Sequence, residues 1–224
     1  MEHSKNDEVS IRFYWNNPMT IDQMTDLVYN FFLEFETISP VLNGWCNLGK
    51  SRKDALSRKF ENSPTYIKKK LLRSYKKEMD ERGYSKIGYA ITLYKEDIEG
   101  NGMSLRISTN DLKGLFTANC KFEYETTDLF DKETLLKILR CIIKHFVPDY
   151  GCVQTNSFWE IKQCNHLGWV SYTHNKLLNL GDKYIVEKDE TGGNLIYMNH
   201  TDKFYDYDRV NDCLALENFA SSGL

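Results

Sequence analysis

Long apolar runs are absent from this 224-residue sequence. No stretch approaches the roughly 20 apolar residues that a membrane-spanning helix needs, so we expect no membrane segment. The first eight residues, MEHSKNDE, are polar and mixed in charge, which is not the pattern of a secretory signal. The sequence therefore predicts a cytoplasmic protein in which residues 1–9 form a flexible N-terminus.

The six cysteines lack a metal-binding spacing. They occur at positions 46, 120, 141, 152, 164 and 213, and no two of these form a Cys-x-x-Cys pair. A structural zinc site is therefore poorly supported. Cys141 lies in an apolar helical stripe, and Cys120 and Cys152 lie in strand-like runs. We expect buried thiols in a reducing compartment, and the sequence predicts neither a metal nor a cofactor.

The common catalytic motifs are also absent. There is no Gly-x-Ser-x-Gly, no glycine-rich phosphate loop with a lysine, and no His-Glu-x-x-His, which disfavours the hydrolases and nucleotidases that use them. Cys164 and His166 lie two positions apart, as in a nucleophile site or a metal clip. No third partner accompanies them, so we interpret this pair as incidental.

One stretch does carry a catalytic pattern. In FVPDYGCVQTNSFWEIK, Asp149 is followed after ten residues by Glu160 and, two positions later, by Lys162. Restriction-endonuclease-like nucleases use this arrangement, in which two carboxylates hold Mg²⁺ and the lysine positions the attacking water. On a strand, Glu160 and Lys162 would point to the same face.

This nuclease pattern has low specificity. Asp97 is followed at a similar distance by Asp111-Leu112-Lys113, so at most one of the two matches is meaningful. A simpler interpretation is that Pro148-Asp149 ends a helix, since proline commonly follows one. A metal-dependent nuclease using Asp149, Glu160 and Lys162 stays an alternative function.

Charge is unevenly distributed, although the net formal charge is only −3. Between Lys50 and Lys86, thirteen Lys and Arg accompany five Asp and Glu, a net charge of +8, and the other residues carry −11. A basic segment on an acidic body indicates a charged partner. A helix over 65–82 could lie along nucleic acid, but the acidic body would repel a polyanion. Direct nucleic-acid binding is disfavoured, and a nucleic-acid-binding or adaptor module is a further alternative.

Hydrophobic periodicity predicts an α+β fold. Apolar residues recur at helical spacing behind a Thr20–Gln23 capping box, which predicts an amphipathic helix over 21–37. Asp131 is predicted to cap a second such helix over 132–146. We expect an antiparallel or mixed sheet with flanking amphipathic helices, in a single compact domain over 10–224. The remaining predicted helices are 51–59, 65–82 and 209–221, and the strands are 10–15, 87–94, 103–109, 118–125, 150–154, 168–173, 183–188 and 194–198.

Short segments spread along the chain resemble one known family. They are ISPVLNGW at 38–45, GKSRKDA at 49–55, FVPDY at 146–150 and GWVSY at 168–172. In their order and spacing they resemble the immunity 52 family of bacterial polymorphic toxin systems, over about residues 11–224. The resemblance implies a cytoplasmic, non-enzymatic protein that binds a cognate toxin and holds it inactive, as in the toxin–antitoxin pairs of type VI secretion.

The resemblance also implies a kind of partner. Toxins paired with this family are often restriction-endonuclease-like nucleases, whose basic groove would attract an acidic inhibitor surface. Such an inhibitor would either cover the active site or disturb toxin assembly, and both modes stay open. A tyrosine-rich acidic run suits this role, although it could equally pack its rings inward as a C-terminal strand or loop. The candidate toxin-binding residues are Glu96, Asp97, Glu99, Tyr205, Asp206, Tyr207 and Asp208.

The resemblance weakens the nuclease alternative. Pro148-Asp149 falls in a segment that the family shares, whereas Glu160 and Lys162 lie in the variable stretch before Gly168. A catalytic triad should not straddle that division. The favoured interpretation of this stretch is a helix end, a strand and a loop.

Overall fold

The framework of the protein is one antiparallel sheet. The computed structural model describes residues 8–96, 102–109, 114–121, 131–156, 158, 168–174 and 184–198. Nine strands lie in these ranges: β1 (Val9–Trp15), β2 (Cys46–Asn47), β3 (Tyr89–Glu96), β4 (Gly102–Thr109), β5 (Gly114–Lys121), β6 (Tyr150–Thr155), β7 (Val170–Thr173), β8 (Tyr184–Lys188) and β9 (Asn194–Met198). Their order across the sheet is β2-β3-β4-β5-β1-β6-β7-β9-β8, and every neighbouring pair is antiparallel.

The helices accompany this sheet. In the described part of the chain they are α1 (Ile21–Ile38), α2 (Arg52–Leu56), α3 (Pro64–Tyr75) and α4 (Lys132–Phe146). The predicted capping box is present, since the Thr20 hydroxyl accepts from the Gln23 amide and the Gln23 side chain accepts from the Thr20 amide. Asp131 caps α4 by accepting from the Thr134 amide at 3.0 Å. The predicted single compact α+β domain is confirmed, with a fully antiparallel sheet.

Alternation along the strands creates the face that the helices cover. Phe13 in β1 stands opposite Phe116 in β5 and Gly151 in β6. Gly151 is required there, because a Cβ at this position would lie 2.3 Å from Cδ1 of Phe13. The register continues this buried row in both directions across the sheet, through Ile107 and Ile91 on one side and Tyr172 and Leu195 on the other.

An aromatic cluster joins the helices to the sheet. Phe31 of α1 is fully buried, with its ring centroid 5.6 Å from that of Phe116 and 5.1 Å from that of Phe146 in α4. It also stacks on Phe35 at 4.6 Å, within its own helix. Trp15 of β1 reaches Phe146 at 4.9 Å. Aromatic rings therefore pack α1 and α4 against the central strands.

The predicted helix over 65–82 was too long. α3 ends at Tyr75 and continues as a 3₁₀ turn over Lys76–Glu78. The Asp80 carboxylate then accepts from the amides of Arg82 and Tyr84, and Gly83 adopts a φ of 84°. This turn competes successfully with the helix, because Asp and Gly favour turn conformations. The Arg82 guanidinium also pairs with the Asp80 carboxylate within this turn, at 3.2 Å.

Other predicted boundaries shift as well. The short helix expected at 51–59 is reduced to Arg52–Leu56. The strand expected at 118–125 begins at Gly114, because the register with β4 pairs Thr109 with Gly114. Residues 122–125 and the predicted helix over 209–221 lie outside the described residues. No helix within the described ranges is both long and apolar enough to cross a membrane.

The GWVSY segment is a packing motif at the start of β7. The Gly168 amide donates to the Ser171 hydroxyl at 3.2 Å, and the Trp169 amide donates to the Val153 carbonyl at 2.9 Å. The Trp169 indole nitrogen lies 3.3 Å from the Thr155 hydroxyl oxygen, to which it donates. The two bonds from Trp169 attach this segment to β6. Cys46, Cys141 and Cys152 are buried free thiols, which confirms the expectation for these three cysteines.

Candidate functional site

The nuclease pattern is only partly within the described structure. Asp149 is exposed in the bend between α4 and β6, where its amide donates to the Tyr14 carbonyl at 2.7 Å. Val147 ends α4 in the left-handed conformation, with a φ of 42°. The interpretation of Pro148-Asp149 as a helix end followed by a strand is thus confirmed. Glu160 and Lys162 lie outside the described residues.

Glu96 is held in a salt bridge. Its Oε1 lies 2.5 Å from Nη2 of Arg52, and its Oε2 accepts from Nε at 2.6 Å. The Glu96 side chain is only 6% exposed, whereas that of Arg52 is 68% exposed. A partner at this position would therefore meet the arginine before the carboxylate. The other candidate residues, Asp97, Glu99, Tyr205, Asp206, Tyr207 and Asp208, lie outside the described part of the chain.

A charged cavity opens between the helices and the β8–β9 hairpin. Its volume is about 740 Å³, and it lies between α1, α4 and the β8–β9 hairpin. Four acidic and four basic side chains line it, so the wall has no single sign of charge. The charged and polar residues lining it include Glu34, Thr37, Lys137, Arg140, Lys144, Glu187, Lys188, Asp189, Glu190 and Thr191.

Two salt bridges connect the walls of this cavity. Arg140 Nη2 of α4 donates to Glu187 Oε1 of β8 at 2.6 Å, and the Tyr197 hydroxyl donates to Oε2 at 3.1 Å. Lys144 Nζ donates to Glu34 Oε2 at 2.6 Å. These bridges join α4 to the hairpin and to α1. Because their side chains are partly exposed, we attribute positioning rather than stability to them.

The Glu34 carboxylate contacts two other titratable side chains, those of Lys144 and His145. Its Oε2 lies 3.0 Å from Nε2 of His145 and also accepts from Lys144. The hydrogen bond from Lys144, together with that from His145, holds the pKa of Glu34 below its ordinary value. Cys141 lies beside Glu34 and His145, and burial raises the pKa of its thiol to about 12. Among the described residues, Glu34, Cys141 and His145 form a group whose ligand atoms all lie within 4.8 Å of one another.

The hairpin turn at the cavity rim is rigidly hydrogen bonded. Asp189 Oδ1 accepts from the amide and hydroxyl of Thr191, both at 2.7 Å, and from the Gly193 amide at 3.0 Å. Although burial opposes ionisation, the hydrogen bonds from Thr191 and Gly193 help to keep the pKa of Asp189 below its ordinary value. This side of the cavity is therefore preformed.

Among solved structures, a protein of a secretion system has the same fold. The Pseudomonas aeruginosa T6SS (type VI secretion system) protein PA0821 aligns with a TM-score of 0.52 at 11% identity, over 84% of this chain and 64% of that chain. The match thus spans less than two thirds of the length of PA0821, and at this identity it shows a shared fold. No protein-family profile matches the sequence, and no curated protein matches it.

A second unusual group lies in the basic segment. Lys70 of α3 is partly buried, and its ammonium donates to Oδ1 of Asn47 in β2. The Asn47 amide donates to the Tyr66 hydroxyl at 2.7 Å, and the Lys70 nitrogen lies 5.9 Å from the Phe60 ring centroid. Burial lowers the pKa of Lys70 from 10.5 to about 8. The basic segment therefore contains one lysine whose surroundings differ from those of exposed neighbours such as Lys69.

We expect Lys70 to titrate near pH 8. In ¹³C-dimethyl-lysine NMR, one resonance should have a midpoint at about 8, and Lys70→Arg should remove it. Lys69→Arg, on the exposed side of α3, should leave that resonance in place. Because the folded state binds fewer protons than the unfolded state between about pH 8 and 10.5, the contribution of Lys70 should raise the free energy of unfolding through this window. A lysine spectrum without a shifted midpoint would show that the amine is solvated.

The cavity was not predicted from the sequence. Arg140 and Glu187 are far apart in the chain and meet because the β8–β9 hairpin lies beside α4. Two signals were present in the sequence. The polar side of α1 includes Glu34, and Cys141 and His145 are separated by one helical turn. Neither signal identifies its partner without the packing of α1 on α4.

Proposed function

We propose that this protein is an immunity protein, which binds a cognate secreted bacterial toxin and neutralises it without catalysing a reaction. The proposal depends on the fold shared with a T6SS protein over 84% of the chain. The segments that resemble the immunity 52 family support it from the sequence. The fold likeness and the sequence segments are separate observations, and both favour the setting of bacterial competition.

The positions of the resembling segments favour a binding protein. FVPDY forms the turn from α4 to β6, and GWVSY attaches β7 to β6. In GKSRKDA, a Cβ at Gly49 would lie 2.3 Å from the Ala55 amide nitrogen, and Ser51 caps α2. All three segments serve backbone turns and close packing. They therefore define a scaffold whose surface is free to differ from one toxin–inhibitor pair to the next.

A nuclease toxin of the restriction-endonuclease-like type is the partner that we propose. Its basic groove would attract an acidic inhibitor surface. From the charge and the tyrosines of the sequence, we assign the main toxin contact to the acids Asp97, Glu99, Asp206 and Asp208 with Tyr205 and Tyr207. Because Arg52 pairs with Glu96, we give Glu96 a supporting role.

The test is a DNA and RNA degradation assay with Mg²⁺, using the toxin domain encoded beside this protein. The protein alone should leave nucleic acid intact, and an equimolar mixture should protect it. Replacing Asp97, Glu99, Asp206 and Asp208 together by alanine should weaken toxin binding at least about tenfold at low salt, with a smaller effect at high salt.

The matched control replaces Asp26 and Asp149, two exposed acids that are not among the proposed contact residues, and should leave binding unchanged. If the fourfold alanine variant still protects nucleic acid fully, the proposed acidic contact is wrong, but the protein is still an inhibitor of the toxin. Cleavage by the protein alone, abolished by Lys162→Ala, would instead establish the nuclease alternative.

A further inference from the structure

We propose that Glu34, Cys141 and His145 form a zinc-binding site at the contact between α1 and α4. This inference is independent of the toxin. It requires only that three side chains of the kinds that zinc prefers converge on one point, and that the remaining coordination position can be filled from outside.

Helical geometry brings two of the ligands together. Cys141 and His145 are four residues apart on α4, so their side chains lie on the same face one turn apart. The His145 ring is held edge-on against Phe31, with centroids 6.0 Å apart. Glu34 comes from α1 on the opposite side, and its Oε2 is 3.0 Å from Nε2 of His145. Two rigid helices therefore supply all three ligands.

The distances are close to those of a zinc site. Bond lengths of about 2.0–2.3 Å in a tetrahedron place neighbouring ligand atoms roughly 3.3–3.6 Å apart. The three ligand atoms here already lie within 4.8 Å of one another. The Glu34 side chain is 38% exposed. A change of its rotamer can therefore bring its carboxylate to the separation that zinc requires without moving either helix.

The donor set selects the metal. A thiolate with an imidazole and a carboxylate suits Zn²⁺, whereas Mg²⁺ and Ca²⁺ prefer oxygen ligands alone. Glu34 and Cys141 both line the cavity, so the fourth position faces its solvent. A water molecule can complete the tetrahedron from that side. On binding, zinc displaces the proton of the Cys141 thiol into solvent.

Lys144 is the competitor that zinc must displace. Its ammonium lies 2.6 Å from Glu34 Oε2, and its side chain is 60% exposed. It can therefore turn into solvent at small cost. The hydrogen bond to Glu34 is the main reason that the pKa of Lys144 is raised, and the charge of Glu190 contributes in the same direction. Glu190 therefore offers this lysine a second anion along the cavity rim.

The test uses tag-free protein stripped of metal by a chelator. Zinc bound in competition with a chromogenic chelator should reach one ion per chain. Cobalt in place of zinc should give the charge-transfer absorption of a cobalt–thiolate bond. At a zinc concentration one hundred times Kd, the melting temperature should rise by about 5–10 °C, because the metal binds the folded state.

Cys141→Ser should abolish the cobalt–thiolate absorption and weaken zinc binding at least about a hundredfold. The matched control is Cys152→Ser, which removes another buried thiol and should change neither measurement. Glu34→Gln alters a partly exposed group and should weaken zinc binding even if the serine variant does not fold. Failure of the native protein to bind zinc, or equal binding by Cys141→Ser, would overturn the proposal.

Discussion

Phe31→Ala is expected to lower the free energy of unfolding by about 3–5 kcal/mol, the range for removing a buried aromatic ring. The ring is fully buried and contacts Phe32 and Phe35 in its helix, Phe116 in β5 and Phe146 in α4. No single neighbour can move into the space, because the neighbours belong to three different elements. Urea unfolding followed by fluorescence and circular dichroism should show the lower midpoint.

Leu33→Ala is the matched control for this variant. Leu33 lies two residues away on the same helix and is 52% exposed. Its truncation should change stability by less than about 0.5 kcal/mol, as for most surface positions. Equal losses for the two variants would mean that α1 contributes mainly through helix formation, and that the aromatic cluster is not the centre of the core.

Gly168→Ala is expected to lower the free energy of unfolding by about 3 kcal/mol, the upper part of the range for overpacking. A Cβ there would lie 2.0 Å from the Val153 carbonyl oxygen and 2.7 Å from its carbon. Backbone atoms of a central strand cannot move aside as a flexible side chain can. Moving the two backbones apart to relieve this clash would break the hydrogen bond from the Trp169 amide to the Val153 carbonyl. The attachment of β7 to β6 would then be lost.

Gly102→Ala provides the control. The nearest atoms to its added Cβ belong to the Tyr94 side chain, at 3.2–3.6 Å, and this ring can shift by a few tenths of an ångström. We expect a loss of less than about 1 kcal/mol, within the range of ordinary strand substitutions. Thermal unfolding should show a larger fall in melting temperature for Gly168→Ala than for Gly102→Ala. If Gly168→Ala melts like Gly102→Ala, the close approach of β7 to β6 does not occur.

Local signals were sufficient to predict the two long helices. The capping box at Thr20 and Gln23 acts within three residues, and the apolar stripe of α4 repeats at every turn. The end of α3 was harder to predict, because Met79 continues the helical period. The Asp80–Gly83 turn is nevertheless the more stable local choice.

Pairing between distant segments could not be predicted in the same way. The start of β5 follows from the pair Thr109 and Gly114 rather than from its own composition. The cavity forms only where α1, α4 and the β8–β9 hairpin meet, so its residues share no short motif. Glu96 illustrates the same limit for the toxin-binding candidates. Its charge was evident in the sequence, but its salt bridge with Arg52 was not.

The central position of β1 has a consequence for synthesis on the ribosome. This strand is made early, yet both of its neighbours in the sheet, Gly114–Lys121 and Tyr150–Thr155, are made much later. The apolar side chains of β1 therefore lack the strands they pair with while the intervening helices and strands are synthesised. Such a topology folds slowly, because segments far apart in the sequence must pair before the sheet is complete. Nascent chains of this protein should depend on chaperones until β6 has left the exit tunnel.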